Sequence, residues 1–123
     1  MKYLASPYSD PEPAIRQERF DAVCRVAAEL MRNGQLVFSP IAHSHPLTQF
    51  GLPLDWEFWE RCDRHHLAHC TELVVLMLPG WTSSRGVLAE ITIARELGKP
   101  IRYLEFTATT THTLAPVATE ATG

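Results

Sequence analysis

The stretch ELVVLML, residues 72–78, limits what this chain can fold into more than any other part of the sequence. It is a nearly continuous apolar run rather than an alternating one, which is typical of strands covered on both faces in parallel sheets. Three shorter apolar runs, at residues 2–5, 35–39 and 101–106, are predicted to be further strands. Since parallel strands need long crossover connections, the segments between them are expected to contain helices.

Helical patterns occur between the predicted strands. The first apolar stripe ends at Asn33-Gly34 and consists of Ile15, Phe20, Val23, Ala27 and Leu30. Asp55 is placed to cap a second helix, which reaches Cys70. Ser84 is placed to cap a third helix, which stops at Gly98. Residues 40–53, rich in proline and histidine, are predicted to be a loop without regular structure.

This alternation of strands and helices predicts a small doubly wound α/β fold of the flavodoxin or Rossmann type. We expect a parallel sheet of four to five strands with helices on both faces. The 123 residues suit one domain, which we assign to residues 1–106. Residues 107–123 are rich in Thr and Ala and are predicted to be a poorly ordered tail or, at best, one edge strand.

Charge and composition exclude several classes of function. The formal net charge is -3 and no run of like charges occurs, so nucleic acid is not expected as a partner. No stretch has the length of a membrane span or the pattern of a secretory signal, so no membrane partner is expected. The three scattered cysteines fit reduced thiols. We therefore expect a cytoplasmic protein that acts on a small molecule.

Two carboxylates stand where the helical pattern calls for apolar residues. Glu90 shares a helix face with Val87 and Ile91, and Asp63 lies in the stripe that leads to Leu67. A buried carboxylate is costly unless it is hydrogen-bonded or its pKa rises, so two of them favour a functional site. A pair of carboxylates suits displacement at an anomeric carbon. The alternative is that each acid forms an ion pair with a nearby cation.

In a doubly wound fold, the ligand lies outside the carboxyl ends of the strands, where the strand order reverses. Ser6 follows the first strand, and the start of the third helix brings Ser84, Arg85 and Gly86. Free N–H groups at a helix start favour an anion, so this segment is a candidate cradle for phosphate or a ribose hydroxyl. The alternative is that Ser84 only caps the helix.

Aromatic residues near the strand ends are candidates for contacts within the crevice. Tyr3, inside the first strand, either holds a carboxylate there or fills the core. Tyr8, Trp81 and His43 are candidates for a surface on which a planar base stacks, although aromatic residues on loops are just as often packing.

The histidines and cysteines support a competing interpretation, a metal site. The ligand types that zinc accepts are present at His43, His45, His65, His66 and His69, with Cys62 and Cys70 nearby, and those on the second helix form pairs four residues apart. A defined motif such as H-E-x-x-H is absent from the sequence, so the spacing alone is weak evidence.

Three segments together resemble a known family. These are KYLASPYS at residues 2–9, Asp63 followed by CTELVVLML, and SSRGVLAEITIARELGKPI at residues 83–101. They are similar to the nucleoside 2-deoxyribosyltransferase superfamily, which includes 2'-deoxynucleoside 5'-phosphate N-hydrolases, and most of all to a bacterial and phage branch with no assigned function. The resemblance extends over nearly all of residues 2–106.

The resemblance implies roles for individual residues. It makes Glu90 the nucleophile that attacks C1', Asp63 the acid that transfers a proton, and Tyr3 the hydroxyl that orients the nucleophile. Ser84 matches a serine that contacts the 5' end of the sugar or its phosphate, and Gly86 a glycine that lets the ligand approach. The chain departs from the family in the longer connection before Ser84, in its loop at residues 40–55 and in its tail.

The sequence therefore predicts an enzyme that cleaves or transfers the N-glycosidic bond of a nucleoside or nucleoside 5'-monophosphate. No metal and no organic cofactor are expected, and the resemblance implies a homo-oligomer, either a dimer or a tetramer. Arg85 favours a phosphorylated substrate. One alternative is a non-catalytic module that binds a nucleotide and signals to a partner. The other is the metal-binding protein.

Overall fold

The structure is a computed structural model that describes residues 1–106 and a strand at residues 116–120. Each of the four predicted strands and three predicted helices is present. In chain order the elements are β1 (Lys2–Ala5), α1 (Pro13–Arg32), β2 (Val37–Phe38), α2 (Pro40–Thr48), α3 (Trp56–Ala68), β3 (Glu72–Met77), a 3-10 turn (Trp81–Ser83), α4 (Arg85–Glu96), β4 (Ile101–Glu105) and β5 (Pro116–Glu120).

The strands form one sheet in the order β2-β1-β3-β4-β5. β1 pairs in parallel with both β2 and β3, and β3 pairs in parallel with β4. The chain winds outward from β1 to β2 and then returns past β1 to β3, so the strand order reverses between β1 and β3. This arrangement confirms the doubly wound fold, and it places the ligand crevice at the carboxyl ends of β1 and β3.

Two apolar cores cover the two faces of the sheet. On one face, α3 and α4 pack against alternate residues of the central strands, so that Leu67 and Ile91 share a cluster with Tyr3 and Val75. On the other face, α1 packs against the intervening strand residues, such as Leu4. Because side chains alternate along a strand, an apolar run like that of β3 serves both cores at once.

The helix α1 is 20 residues long and is amphipathic. Its buried residues lie on one side, which faces the sheet: Ala22, Val23, Val26, Ala27 and Leu30. In the part of the chain that the structure describes, no helix combines the length and the apolar character that crossing a bilayer requires.

The prediction of a loop over residues 40–53 is wrong, because α2 occupies Pro40–Thr48. Ser39 caps this helix, since its Oγ accepts a hydrogen bond from the backbone N–H of Ala42 at 3.1 Å, and Pro40 stands in the first turn, where proline is tolerated. Burial of Ser44 and His45 holds the helix in place despite the internal Pro46. Tertiary packing therefore overrides a composition that disfavours a helix.

The starts of α3 and α4 differ in how they are capped. Ser84 caps α4 as predicted, with its Oγ accepting from the backbone N–H of Val87 at 3.3 Å. Asp55 stands at the N-cap position of α3, but within the described residues its side chain forms no capping hydrogen bond. The carboxylate of Asp55 instead lines the cavity described below.

The segment Pro116–Glu120 adds β5 to the edge of the sheet, antiparallel to β4, with Ile101 opposite Glu120. The sheet thus has four parallel strands and one antiparallel edge strand, which agrees with the edge-strand alternative for this part of the tail. The prediction of poor order for the rest of residues 107–123 falls on positions outside those that the structure describes.

Candidate active site

A cavity of about 490 Å³ opens at the carboxyl ends of β1 and β3. Its walls are the segment after β1, the turn before α4, the first turns of α3 and α4, and one side of α2. Hydrogen bonds help to hold the segment after β1 in place. Ser9 Oγ donates to the carbonyl oxygen of Leu54 at 3.1 Å, and Arg19 Nη1 donates to the carbonyl oxygen of Ser9 at 2.9 Å. The crevice expected from the topology is thus a defined cavity.

Both inward carboxylates that the sequence singles out reach this cavity. Glu90 on α4 is 4 % exposed and Asp63 on α3 is 8 % exposed, and both line the cavity. The prediction that Glu90 and Asp63 lie on buried helix faces is confirmed, so neither acid is at the exposed rim that the ion-pair alternative for Glu90 requires. Two helices packed side by side on one face of the sheet therefore place two acids in one pocket.

Tyr3 contacts Glu90 directly. The phenol, on the central strand β1 and fully buried, donates a hydrogen bond to Oε2 of Glu90. Tyr3 takes both of the roles that the sequence gave as alternatives, because it holds the carboxylate of Glu90 and also packs in the core. The phenol lies beneath the cavity and belongs to the core cluster that α3 and α4 form with the sheet.

The environment shifts the pKa values of all three groups. Burial raises the pKa of Asp63 from an ordinary value of 3.8 to about 7. Burial first, and then the charge of Asp63, raise the pKa of Glu90, while the hydrogen bond from Tyr3 acts in the opposite direction. Burial, followed by the charges of Glu90 and Asp63, raises the pKa of Tyr3, so the phenol stays protonated and donates. Asp63 is therefore able to exchange a proton near neutral pH.

The start of α4 forms a polar wall of the cavity. Ser84, Arg85 and Gly86 all line it, as does Ser6 at the end of β1. The Oγ of Ser6 is buried and has no hydrogen-bond partner among the described residues. A buried hydroxyl without a partner is costly, so its position in the lining marks a place where a ligand atom can complete its hydrogen bonding.

Arg85 is already engaged at the rim of the cavity. Its guanidinium forms an ion pair with the carboxylate of Glu57 on α3, and both side chains are more than half exposed. A phosphate that binds Arg85 must therefore compete with Glu57.

The sequence did not single out Arg19, which also lines the cavity. Its Nη2 donates to the carbonyl oxygen of Pro79 at 3.3 Å, so this side chain joins the segments that follow β1 and β3. Gly80 has a φ of 90°, a left-handed conformation that favours glycine, and a Cβ there would lie 2.9 Å from Nη2 of Arg19 and displace that side chain. Because these contacts join segments far apart in the chain, local patterns do not reveal them.

Besides Tyr3, which lies beneath the cavity, two predicted site residues lie outside the cavity lining that the described residues form. His43 lies near Phe38 and His66, with ring centroids 6.2 and 6.4 Å away, because the helix α2 turns this side chain away from the cavity. Trp81 packs against Tyr103, 5.6 Å between centroids, and against the core. The aromatic surface of the cavity comes instead from Tyr8, as predicted, and from Trp56 and Trp59.

The metal interpretation finds no support in the geometry. Within residues 1–106 and 116–120, no group of three or more His, Cys, Asp or Glu side chains is placed to hold a metal ion. His66 stacks on Phe38 with centroids 4.1 Å apart, and His69 Nδ1 contacts the carbonyl oxygen of His65 at 2.9 Å. These imidazoles therefore pack against neighbouring rings and the backbone.

Comparison with solved structures identifies a chain of the same fold. It is a 2-deoxyribosyltransferase from the psychrotolerant bacterium Bacillus psychrosaccharolyticus, with a TM-score of 0.62 and 24% sequence identity. The match covers 89% of this chain and 74% of that chain. This likeness confirms the fold expected from the resemblance of residues 2–106 to the nucleoside 2-deoxyribosyltransferase superfamily. A comparison with curated proteins finds no significant match.

Comparison with protein families gives a match over most of the chain. The profile described as "Domain of unknown function (DUF1937)" matches residues 1–106. That range contains every residue of the cavity lining described above. The chain therefore belongs to the DUF1937 family, and its fold is that of the 2-deoxyribosyltransferases.

Proposed function

We propose that this chain is an enzyme that cleaves or transfers the N-glycosidic bond of a nucleoside or nucleoside 5'-monophosphate. The observation that carries the proposal is the buried hydrogen bond from Tyr3 to Glu90, in a cavity that also holds Asp63. A carboxylate oriented by a donor and a second acid with a raised pKa are the two groups that displacement at an anomeric carbon requires.

The reactive form has Glu90 ionised and Asp63 protonated, so the charge of Asp63 that raises the pKa of Glu90 is absent from this form. In the first step, a carboxylate oxygen of Glu90 attacks C1' of the sugar. The bond between C1' and the base nitrogen breaks, and its electron pair stays on the base. Asp63, with a pKa of about 7, donates a proton to the departing base, which leaves as a neutral molecule. Tyr3 holds the attacking carboxylate in one orientation, so that little conformational freedom is lost on reaching the transition state.

In the second step, water or a second base attacks C1' of the glycosyl-enzyme. The bond between C1' and Glu90 breaks and returns the electron pair to the carboxylate. Asp63, now ionised, takes the proton from the attacking group and is ready for another cycle. Two displacements at one carbon retain the configuration of the sugar.

The polar wall at the start of α4 is the proposed place for the sugar. The hydroxyl of Ser6, which has no partner among the described residues, and the backbone N–H of Gly86 in the first turn of α4 are proposed to bind a ribose oxygen, beside the cap residue Ser84. A Cβ at Gly86 would make only an ordinary contact of 3.7 Å with Trp56, so the protein itself does not require glycine there. Close approach of the ligand is the role that we propose for Gly86.

Release of free base from a panel of nucleosides and nucleoside 5'-monophosphates tests the proposal directly. We expect chromatography to show release from at least one panel member and no release by a Glu90→Ala variant. Adding a second free base separates the two reactions, because only a transferase yields the exchanged nucleoside. Stoichiometric binding without any release of base would reject the enzyme and favour the non-catalytic nucleotide-binding module.

We also expect the chain to assemble as a homo-oligomer, either a dimer or a tetramer, as the family resemblance implies. Light scattering on the purified protein measures the mass directly. A monomer across the concentrations used for activity would reject this part of the proposal.

A further inference from the structure

A chain of hydrogen bonds runs from the cavity to the surface of α1 and has no part in the chemistry proposed above. The hydroxyl of Tyr8 lies 2.6 Å from Nδ1 of His45, and Nε2 of His45 lies 3.2 Å from Oε1 of Gln17. Gln17 in turn donates from Nε2 to Asp21 at 3.0 Å. Tyr8 and His45 are each 7 % exposed, so the inner half of this chain is shielded from water.

The outer end of the chain determines the direction of each hydrogen bond. Asp21 accepts only, so the amide nitrogen of Gln17 faces it and the amide oxygen faces His45. Nε2 of His45 must then donate to that oxygen. Burial lowers the pKa of His45, so the neutral ring holds a single proton, which is on Nε2. Nδ1 is therefore an acceptor, and the proton between His45 and Tyr8 comes from the phenol.

Two further contacts hold the imidazole in this arrangement. The ring of Phe20 stacks on His45, with centroids 4.2 Å apart and an angle of 27° between the planes. The ring of Tyr8 meets His45 edge-on at 5.4 Å and 79°. Both neighbours oppose rotation of the imidazole, so Nδ1 stays directed at Tyr8.

We propose that Tyr8 is a specificity residue of the cavity, one that accepts a hydrogen bond from an N–H or O–H group of the bound nucleoside. Its single proton is committed to His45, and its oxygen keeps lone-pair capacity on a side chain that lines the cavity. A ligand that presents a donor completes the hydrogen bonding of this oxygen. A ligand that presents an acceptor places its lone pairs against those of the phenol oxygen and forms no hydrogen bond there. The inference rests on the proposed function only in taking the ligand to be a nucleoside.

The donor has two possible sources, the base and the sugar, and three ligand pairs separate them. 2'-Deoxyadenosine and 2'-deoxyinosine exchange an exocyclic amine for a carbonyl on a purine, and 2'-deoxycytidine and 2'-deoxyuridine do the same on a pyrimidine. The adjacent ring nitrogen gains a proton in each exchange, so the member with the donor is defined at the exocyclic group. 2'-Deoxyadenosine and 2',3'-dideoxyadenosine differ by one sugar hydroxyl. Dissociation constants are measured by calorimetry in a Glu90→Ala background, which prevents turnover during the titration.

We expect the ligand with the donor to bind about 5- to 10-fold more tightly than its partner in at least one pair, which lies within the range for one neutral hydrogen bond. In Tyr8→Phe, which keeps the ring and removes the oxygen, this preference should vanish. In His45→Phe, which keeps the stacking on Phe20 and returns the proton to Tyr8, the preference should shift towards the acceptor ligand. A role of Tyr8 in folding alone would weaken both members of a pair equally.

The possible failures are distinguishable. If the protein binds these nucleosides but shows no preference in any pair, or if Tyr8→Phe keeps the preference, the inference is wrong and the proposed function stands. If no nucleoside binds, the proposed function and this inference fall together. Should His45→Phe not fold, as judged by circular dichroism, the isosteric Tyr8→Phe variant decides the question alone.

Discussion

The phenol of Tyr3 donates a hydrogen bond to the carboxylate of Glu90, 87 residues further along the chain. One residue lies on the central strand β1 and the other on α4, so the contact forms only when α4 packs on the sheet. Formation of the fold therefore assembles the proposed nucleophile and the group that orients it in the same event.

Removing the phenolic oxygen should weaken catalysis without removing the nucleophile. In Tyr3→Phe, we expect kcat to fall by roughly 10- to 100-fold, because a hydrogen bond to a charged group is worth about 1.5–3 kcal/mol. The pKa of Glu90 should rise further, since the only cause that lowers it is lost. The acid limb of the pH profile of kcat should therefore move to higher pH. An unchanged acid limb would contradict this role.

Replacing the proposed nucleophile should abolish base release. We expect no activity from Glu90→Ala or Glu90→Gln, because neither side chain is able to form the glycosyl-enzyme. Both variants should fold, since they remove a costly buried carboxylate. Glu96→Gln, an exposed position on the same helix, is the matched control and should keep its activity. Normal turnover by either Glu90 variant would remove the proposed mechanism.

Asp63 should govern the alkaline side of the pH profile. Because this acid has a pKa of about 7 and must be protonated to assist the leaving base, kcat/KM should fall as the pH rises through about 7. Asp63→Asn should slow base release by roughly two to four powers of ten, and it should remove this alkaline limb. A wild-type profile that stays flat from pH 6 to about pH 9 would argue against proton donation by Asp63.

The same pKa shift predicts a dependence of stability on pH. The pKa of Asp63 is 3.8 in the unfolded chain and about 7 in the folded one, so between these values the native state holds a proton that the unfolded state has released. The contribution of this pKa shift to the free energy of unfolding is therefore fully present below about pH 4 and is lost as the pH rises through about 7. Its size is on the order of 4 kcal/mol.

Asp63→Asn tests this linkage by thermal unfolding. The variant should match the wild type in acid, where Asp63 is protonated, and should exceed it in stability at pH 8 or above, since the amide does not ionise. Equal pH dependence of the two melting temperatures would show that Asp63 does not titrate as the structure implies.

The ion pair between Arg85 and Glu57 should decide how well a 5'-phosphate is accepted. Glu57→Gln frees the guanidinium, so we expect a lower KM for nucleoside 5'-monophosphates and little change for nucleosides. Arg85→Gln should raise KM for the monophosphates alone. The effect is measured as the ratio of kcat/KM for a nucleoside 5'-monophosphate to kcat/KM for the matching nucleoside. Equal changes for both substrate classes would rule out phosphate binding by Arg85.

Local patterns predicted the strands and the longer helices well, because a continuous apolar run or a helical stripe is itself the cause of burial. They failed at residues 40–48, where helical structure comes from packing on α1 and β1 and not from propensity. They also misplaced His43. The direction of a side chain on a helix can be predicted only where the helix itself is predicted. Here the sequence pattern predicted a loop.

Part of the candidate site could be predicted from the sequence for the same reason. Glu90 and Asp63 interrupt apolar stripes, so each is marked by its own helix. No interrupted apolar stripe singles out Arg19, Glu57 or the hydrogen-bonded chain from Tyr8 through His45. Each of these side chains is polar on a segment where polar residues are ordinary, and its partner lies on a different element.

For α1, α3 and α4, the sequence by itself determined which side is buried and where the helix begins, because periodicity and capping act within a few residues. It thereby determined that two acids point inward. Only the tertiary structure decided what each acid meets: Tyr3 beneath Glu90, and one cavity shared with Asp63. The physical reason is that partners across the fold depend on strand order and on how the helices pack, and no local pattern records either.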